Sequence, residues 1–166
     1  MSDTYYDKIS SGYDELHEQE QLKKLSIIKK ELQITKTTNL LDVGCGTGIS
    51  SHFDCYVTGI DSSEGLLEIA RRKFTDKDFV KADAEKIPFQ NNSFDIVVSL
   101  TAIQNFNDIE KGLNEIKRVG KEKFALSFLK KSSKAMEIED KINKIFKEFK
   151  IKRIEEEKDV IFVIEN

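Results

Sequence analysis

The chain has few of the residues that build disulfide, metal or membrane-spanning frameworks. Among its 166 residues are two cysteines, two histidines and one proline, with no tryptophan. Cys45 and Cys55 form no CxxC pair, which argues against a zinc framework or a disulfide scaffold and suits a reducing compartment. No apolar run approaches about 18 residues, and the N-terminus has no apolar leader. We therefore expect a cytoplasmic protein with no membrane partner and no metal site.

The charge of the chain points to no particular class of partner. It has 27 Lys and Arg against 30 Asp and Glu, a net charge of −3, which neither indicates nor excludes nucleic acid. With 39% hydrophobic residues the chain can fill the core of one domain of ordinary size. No repeat or long linker divides it, so we expect a single domain over residues 1–166.

Strand-like and helix-like apolar patterns alternate along the chain. Such alternation is typical of a mostly parallel sheet between layers of helices. We expect an α/β three-layer sandwich with helices on both faces, whose seven-stranded sheet closes with an antiparallel C-terminal hairpin. The predicted strands are 39–44, 56–61, 78–83, 94–100, 123–129, 151–156 and 159–165. The predicted helices are 15–32, 62–74, 107–120 and 132–149.

The helix predicted over 107–120 carries the clearest end signals. Asn107 followed three residues later by Glu110 is the pattern of a capping box. Gly120 follows a last turn with two basic residues and predicts the end of the helix. The sequence therefore predicts a helix that starts at Asn107 and ends at Gly120.

The turn after the first predicted strand indicates the class of cofactor. In LDVGCGTG, Gly44, Gly46 and Gly48 have the spacing G-x-G-x-G, whereas a dinucleotide fingerprint requires G-x-G-x-x-G around a pyrophosphate. Asp42, two residues before the first glycine, suits an ammonium group better than a diphosphate. Asp61, at the end of the second strand, can accept both hydroxyls of a ribose. The loop predicts a nucleoside with a cationic tail, a description that S-adenosylmethionine fits.

Four segments, in order, resemble the motifs of a known family. LDVGCGTG, GIDSS, KADAEKIPF and FDIVVSLTAIQNF look like the first to fourth motifs of class I, Rossmann-like S-adenosylmethionine-dependent methyltransferases, in a minimal methyltransferase-11-like form. YYDKISSGYD resembles the entry segment of that family. The resemblance spans nearly the whole chain. It implies methyl transfer from S-adenosylmethionine, with residues 1–35 as an N-terminal helical segment that covers the cofactor site.

The resemblance implies roles for residues around the methionine part of the cofactor. Asp42 would hold its amino group, while Gly44 and Gly46 let the backbone approach it. The third glycine either joins this cradle or only permits close packing of a helix. Leu100, with Ser99, would contribute a backbone contact.

A second group of residues would hold the nucleoside part. Asp61 would bind the ribose hydroxyls beside Ser62, and Asp83 would accept from the adenine amine, with the Ala84 amide on a ring nitrogen. Tyr13 would close over the cofactor. The complete cofactor-binding set that the resemblance implies is Tyr13, Asp42, Gly44, Cys45, Gly46, Asp61, Ser62, Asp83, Ala84, Ser99 and Leu100.

Two side-chain amides follow the fourth strand, where small-molecule members of this family often carry histidines. Gln104 and Asn105 cannot titrate, but they donate and accept hydrogen bonds in a fixed pattern. We expect both on the substrate side, as the candidate catalytic residues. They suit an acceptor that is already nucleophilic, such as a purine ring nitrogen, or one whose base lies on a partner. The absence of Asn-Pro-Pro-Tyr argues against transfer to exocyclic adenine amines or glutamine amides.

Several functions stay open at this level. The acceptor is RNA or a translation component, served by a small zinc-ribbon activator subunit, or else a small molecule. The first is suggested by the nearly undecorated domain and by a similarity of SLTAIQNF to the ribosomal-RNA guanine methyltransferase. A catalytically inactive module that binds S-adenosylmethionine is a further alternative. The glycine spacing disfavours an NAD-dependent oxidoreductase.

Overall fold

Seven strands form one sheet in this computed structural model, which describes residues 18–48 and 52–166. The order across the sheet is β3-β2-β1-β4-β5-β7-β6. The seven-stranded α/β fold predicted from the sequence is confirmed. The strands are β1 (Asn39–Val43), β2 (Tyr56–Asp61), β3 (Asp78–Lys81), β4 (Phe94–Leu100), β5 (Gly120–Leu129), β6 (Lys150–Glu155) and β7 (Asp159–Glu165).

The directions of the strands bring distant residues to one edge of the sheet. Strands β1 to β5 are parallel, whereas β7 is antiparallel to both β5 and β6, as predicted for the closing hairpin. Asp159, the first residue of β7, pairs with Leu129, the last residue of β5. The start of β7 therefore lies at the carboxyl edge of the parallel strands, where ligands bind in such sheets.

Helices cover both faces of the sheet. Residues 18–31 are helical (α1), and their apolar residues at spacings of three and four bury Leu25, Ile28 and Leu32 against one face, together with Leu40 and Ile96. On the opposite face, α3 (Ile109–Val119) and α4 (Ala135–Ile145) pack in a second cluster. The described residues also form α2 (Glu64–Lys73) and a short 3-10 helix (Ile103–Asn105).

The start of α3 differs from the prediction. Asp108, not Asn107, caps the helix, and its Oδ1 accepts from the Lys111 amide at 3.0 Å. Glu85 Oε1 accepts from the amides of Asn107 (2.7 Å) and Asp108 (3.2 Å). This carboxylate comes from another loop, so local spacing could not indicate it. The end of the helix at Gly120 is confirmed.

Helix α4 is shorter than the predicted range 132–149. Ser132 Oγ accepts from the Lys134 amide at 3.1 Å, so the chain turns before the helix begins. After Ile145 a tight turn follows, in which the Phe149 amide donates to the Phe146 carbonyl at 2.9 Å. Both rings still pack together in the core, with centroids 5.6 Å apart. The apolar stripe was predicted correctly, but part of it lies on turns.

Within ranges 18–48 and 52–166, no helix is both long and apolar enough to cross a membrane. The same residues contain no group of three His, Cys, Asp or Glu side chains that could hold a metal ion. Cys45 and Cys55 are both buried and free.

Candidate functional site

The glycine loop after β1 has a left-handed backbone at each glycine. The φ angles are +77° at Gly44, +56° at Gly46 and +86° at Gly48, values that favour glycine over residues with a Cβ. The Ile60 carbonyl accepts from the amides of Gly44 (2.8 Å) and Cys45 (3.0 Å). These bonds hold the loop against the end of β2, at the carboxyl edge.

The three glycines differ in what a Cβ at each position would contact, and this difference indicates their roles. A Cβ on Gly44 would lie 2.6 Å from the Ala102 Cβ, and one on Gly48 would lie 3.1 Å from the Ala70 Cβ. Gly48 therefore serves the packing of the loop on α2, one of the two alternatives for that glycine. A Cβ on Gly46 would meet nothing within 4 Å among the described residues. Gly46 is the position at which a ligand can approach the backbone.

Asp42 is a buried carboxylate with an unused acceptor atom. The residue is 1% exposed, and its Oδ2 has no hydrogen-bond partner within the described structure. Burial, with a smaller contribution from the charge of Asp61, raises the pKa of Asp42 to about 8. An unpaired buried carboxylate is unfavourable. A cationic donor at this position, such as the predicted ammonium group, would remove the cost.

Asp61 ties the glycine loop to the start of α2. Its Oδ2 accepts from the Gly46 amide at 2.8 Å, and its Oδ1 accepts from the Ser63 amide at 2.9 Å. Ser62 between them is exposed. These bonds fix the orientation of the carboxylate beside the open glycine. Asp61 is the last residue of β2, the position in the chain that the sequence predicted.

The remaining nucleoside-side candidates follow β3 at the same edge. The Ala82 amide donates to the Asp61 carbonyl at 3.1 Å, which extends the contact between the two strand ends. Asp83 is exposed and Ala84 is half-buried, in a turn closed by the Lys86 amide on the Asp83 carbonyl at 3.1 Å. Both can meet a ligand from solvent. Tyr13 lies outside the described residues.

Ser99 and Leu100 are fixed by the core. Ser99 is fully buried, and its Oγ donates to the Val43 carbonyl at 2.9 Å, which joins the ends of β4 and β1. Leu100 is 6% exposed and packs in the cluster that contains α1. Their side chains brace the strands, so a contact with cofactor would come from the backbone, as the resemblance implies.

The two predicted substrate-side amides point in different directions. Gln104 Nε2 donates to the Thr101 carbonyl at 2.9 Å, and its Oε1 is buried with no partner among the described residues. Asn105 is exposed at the end of the 3-10 helix. The two amides therefore do not act as one unit.

A buried ion pair beside these amides was missed by the sequence reasoning. Lys24 Nζ lies 3.2 Å from Asp159 Oδ2, and the two residues are 4% and 0% exposed. Thr101 lies between them: its Oγ1 accepts from Lys24 at 2.6 Å and donates to Asp159 at 2.7 Å. Two features of the sequence could have indicated this pair. Lys24 lies four residues before Ile28, on the buried face of α1, and Asp159 is the first residue of an apolar strand.

An open glycine loop and a buried carboxylate at the carboxyl edge of this sheet define the protein as a class I S-adenosylmethionine-dependent methyltransferase by fold and site. Residues 41–127, just over half of the chain, match the model of the methyltransferase domain family, and the chain belongs to that family.

Among sequence relatives, the chain is similar to an uncharacterized protein of Methanocaldococcus jannaschii. The two are 36% identical over 121 residues, which is 71% of this chain and 47% of the relative. It is also similar to demethylmenaquinone methyltransferase of Chlorobaculum tepidum, at 35% identity over 55% of this chain and 40% of the relative. The chain thus spans about half the length of these relatives or less.

Solved structures share the fold at low sequence identity. A chain from the complex of the Haloferax volcanii Trm112 methyltransferase activator with a methyltransferase matches at a TM-score of 0.78, with 16% identity over 98% of this chain and 94% of that chain. An S-adenosylmethionine-dependent methyltransferase of Methanococcus maripaludis matches at 0.73, with 17% identity over 99% of this chain and 91% of that chain.

Proposed function

We propose that the chain transfers a methyl group from S-adenosylmethionine, by direct in-line displacement, to a small-molecule acceptor. The observation that carries the proposal is Asp42, whose buried carboxylate oxygen has no partner in the described structure and lies next to a loop with an open glycine. These features fit the amino group of a methionine moiety. When bound, S-adenosylmethionine supplies an electrophilic methyl group on a sulfonium.

The residues of the chain would orient this group and exclude water from it. Asp42 would bind the amino group, Gly46 would let the backbone approach, and Asp61 would accept from the ribose hydroxyls. Asp83 and Ala84 would read the adenine edge. Methyl transfer from a good leaving group depends mostly on such positioning. We propose that residues 1–35 cover the site within a single domain.

One observation favours a small acceptor: a relative is a demethylmenaquinone methyltransferase, which by name acts on a small molecule. We place the amides of Gln104 and Asn105 on the acceptor side. Because these amides cannot remove a proton, we expect an acceptor that is already nucleophilic. We expect exposed Asn105 to contact it.

A second candidate is transfer to RNA or a translation component with a small zinc-ribbon activator subunit. It is favoured by the similarity in fold to a chain from the complex that contains the Trm112 activator. Copurification of a small zinc protein with this chain would support this candidate.

We also propose a cytoplasmic location. Both cysteines are buried and free. Free thiols persist in a reducing compartment, where S-adenosylmethionine enzymes work without disulfide support. Fractionation of cells that express the tagged chain tests the location.

Calorimetry and labelled transfer test the proposal together. We expect S-adenosylhomocysteine to bind and NAD not to bind. Tritiated methyl transfer into a cell lysate, sorted into RNA, protein and small molecules, should then label the small molecules. Label in RNA alone would favour the second candidate, and binding without any label would favour an inactive module that senses or scaffolds.

Asn105→Ala should lower the transfer rate to the labelled acceptor about tenfold, because a hydrogen bond to the acceptor contributes roughly 1.4 kcal/mol. The control is Asn143→Ala, an exposed asparagine on α4. Equal rates in the two variants would remove Asn105 from the acceptor site.

A further inference from the structure

Four polar residues form a hydrogen-bonded group at the carboxyl edge of the parallel strands, and together with Gln21 beside them on α1 we call them the Thr101 cluster. Thr101 Oγ1 bridges Lys24 and Asp159, and the Thr101 carbonyl accepts from Gln104. Gln21 lies one turn before Lys24 on α1, and therefore on the same helix face. Gln21, Thr101 and Gln104 are half-buried residues, so the cluster lies directly below the surface.

Thr101 has an unfavourable backbone that the fold imposes. Its φ is +55°, in the left-handed region, where a β-branched residue is an outlier. Its amide donates to Ser127 at both the hydroxyl (3.0 Å) and the carbonyl (3.1 Å), and its side chain is bound by the ion pair. Backbone strain that is held this firmly is concentrated at functional sites. In this conformation the Thr101 carbonyl accepts from Gln104 Nε2.

Three oxygen atoms of the cluster are buried without a partner in the described structure: Gln21 Oε1, Gln104 Oε1 and Asp159 Oδ1. All three are acceptors. The orientation of Gln104 is fixed, because a flipped amide would set its oxygen against the Thr101 carbonyl. A buried acceptor without a partner is unfavourable. The cluster therefore lacks hydrogen-bond donors.

The charge of the cluster indicates which donors fit. Lys24 already balances the carboxylate of Asp159, so a neutral donor completes the group and a further cation is not required. The Asp159 carboxylate is held by Lys24 and Thr101 through Oδ2. The two amides cannot remove a proton, so they do not assist a hydroxyl acceptor, which needs a base. A ring nitrogen attacks with its own lone pair.

We infer that the Thr101 cluster is the acceptor subsite and that it recognises a small nitrogen heterocycle through N–H groups on that heterocycle. This inference rests on the proposed methyltransferase function. It adds Gln21, Thr101 and Asp159 to the acceptor side, with Lys24 as a positioning residue that acts through Thr101 and Asp159.

A pair of isosteric probes tests the recognition. We would titrate the S-adenosylhomocysteine complex with 2-aminobenzothiazole, which carries N–H donors, and with 2-methylbenzothiazole, which has a methyl group in their place. The amino probe should bind about tenfold more tightly or better, because the methyl probe leaves the buried oxygens unpaired. Equal affinities, or binding of neither probe, would overturn the inference.

Variants that conserve side-chain size show which residues produce the preference for the amino probe. Gln21→Met and Gln104→Met keep the Lys24–Asp159 pair, and each should reduce the preference for the amino probe severalfold. The control is Gln33→Met, an exposed glutamine just beyond α1, which should keep the full preference. A preference that survives in both cluster variants would contradict the assignment.

Calorimetry with S-adenosylhomocysteine on each protein separates this inference from the function on which it rests. If wild-type protein does not bind S-adenosylhomocysteine, the proposed function fails. If it binds but shows no preference between the probes, only the acceptor subsite fails. A crystal structure of the complex with the amino probe, in which internal water alone contacts the three oxygens, would also refute the subsite.

Discussion

The glycine-loop site and the Thr101 cluster each contain a buried aspartate with one unpaired oxygen in the described structure, but their surroundings differ. Asp42 lies near another carboxylate, Asp61, and its pKa is raised to about 8, chiefly by burial. Asp159 lies 3.2 Å from the buried ammonium of Lys24. We therefore propose that the first carboxylate pairs with a cation from a ligand, whereas the second already has its cation and accepts from neutral donors.

The largest effect is expected from breaking the ion pair of the Thr101 cluster. Lys24→Met leaves the charge of Asp159 buried and should lower the free energy of unfolding by roughly 3–5 kcal/mol. Lys24→Met combined with Asp159→Leu should recover most of that loss. Urea unfolding measures both. The control is Lys23→Met, a lysine whose side chain is 73% exposed. If Lys24→Met and Lys23→Met are equally mild, the pair does not hold the cluster.

Asp42→Asn should affect the opposite site in two ways. Loss of the charged partner of the amino group should weaken S-adenosylhomocysteine binding roughly a hundredfold. The free protein should become more stable near pH 8, because the folded state no longer contains an ionised, desolvated carboxylate. Calorimetry and thermal unfolding measure these effects against Glu68→Gln, an exposed control on α2. A variant that binds normally would exclude Asp42 from the cofactor site.

Smaller effects distinguish the glycines of the loop. Gly48→Ala places a Cβ 3.1 Å from Ala70 and should cost about 1–3 kcal/mol of stability. The Cβ of Gly46→Ala would meet no atom of the described residues within 4 Å. Both variants share the backbone strain of a positive φ. Beyond that shared strain, Gly46→Ala should weaken ligand binding more than it lowers stability. The measurement compares thermal unfolding and calorimetry for both variants. Identical profiles would mean that Gly46 faces no ligand.

The glycine-loop site was easier to predict from the sequence than the Thr101 cluster for a physical reason. Strand periodicity, the glycine spacing and the position of Asp42 are properties of short segments. Those local patterns also predicted the antiparallel pairing of the closing hairpin. Thr101 contacts Lys24 across 77 positions and Asp159 across 58, and both contacts require the finished sheet. The Glu85 contacts at the start of α3 are of the same kind.

The tertiary structure distinguishes two candidates that the sequence places side by side. Gln104 and Asn105 are adjacent in sequence, yet one amide turns inward to Thr101 and the other is exposed. The SLTAIQNF segment is therefore not a pair of equivalent amides at the end of a strand. It combines a half-buried amide that donates to the Thr101 carbonyl with an exposed amide.

The most direct test of the account is the pH dependence of S-adenosylhomocysteine binding. The amino group favours ionised Asp42, so binding must displace a proton wherever the free protein is protonated, which is below about pH 8. Affinity should rise from about pH 6 to about pH 8, by close to tenfold per pH unit at the lower end, with release of a proton in calorimetry. Asp42→Asn should bind weakly at every pH and release none. Wild-type binding that is independent of pH and releases no proton would contradict the central claim that Asp42 holds the cofactor.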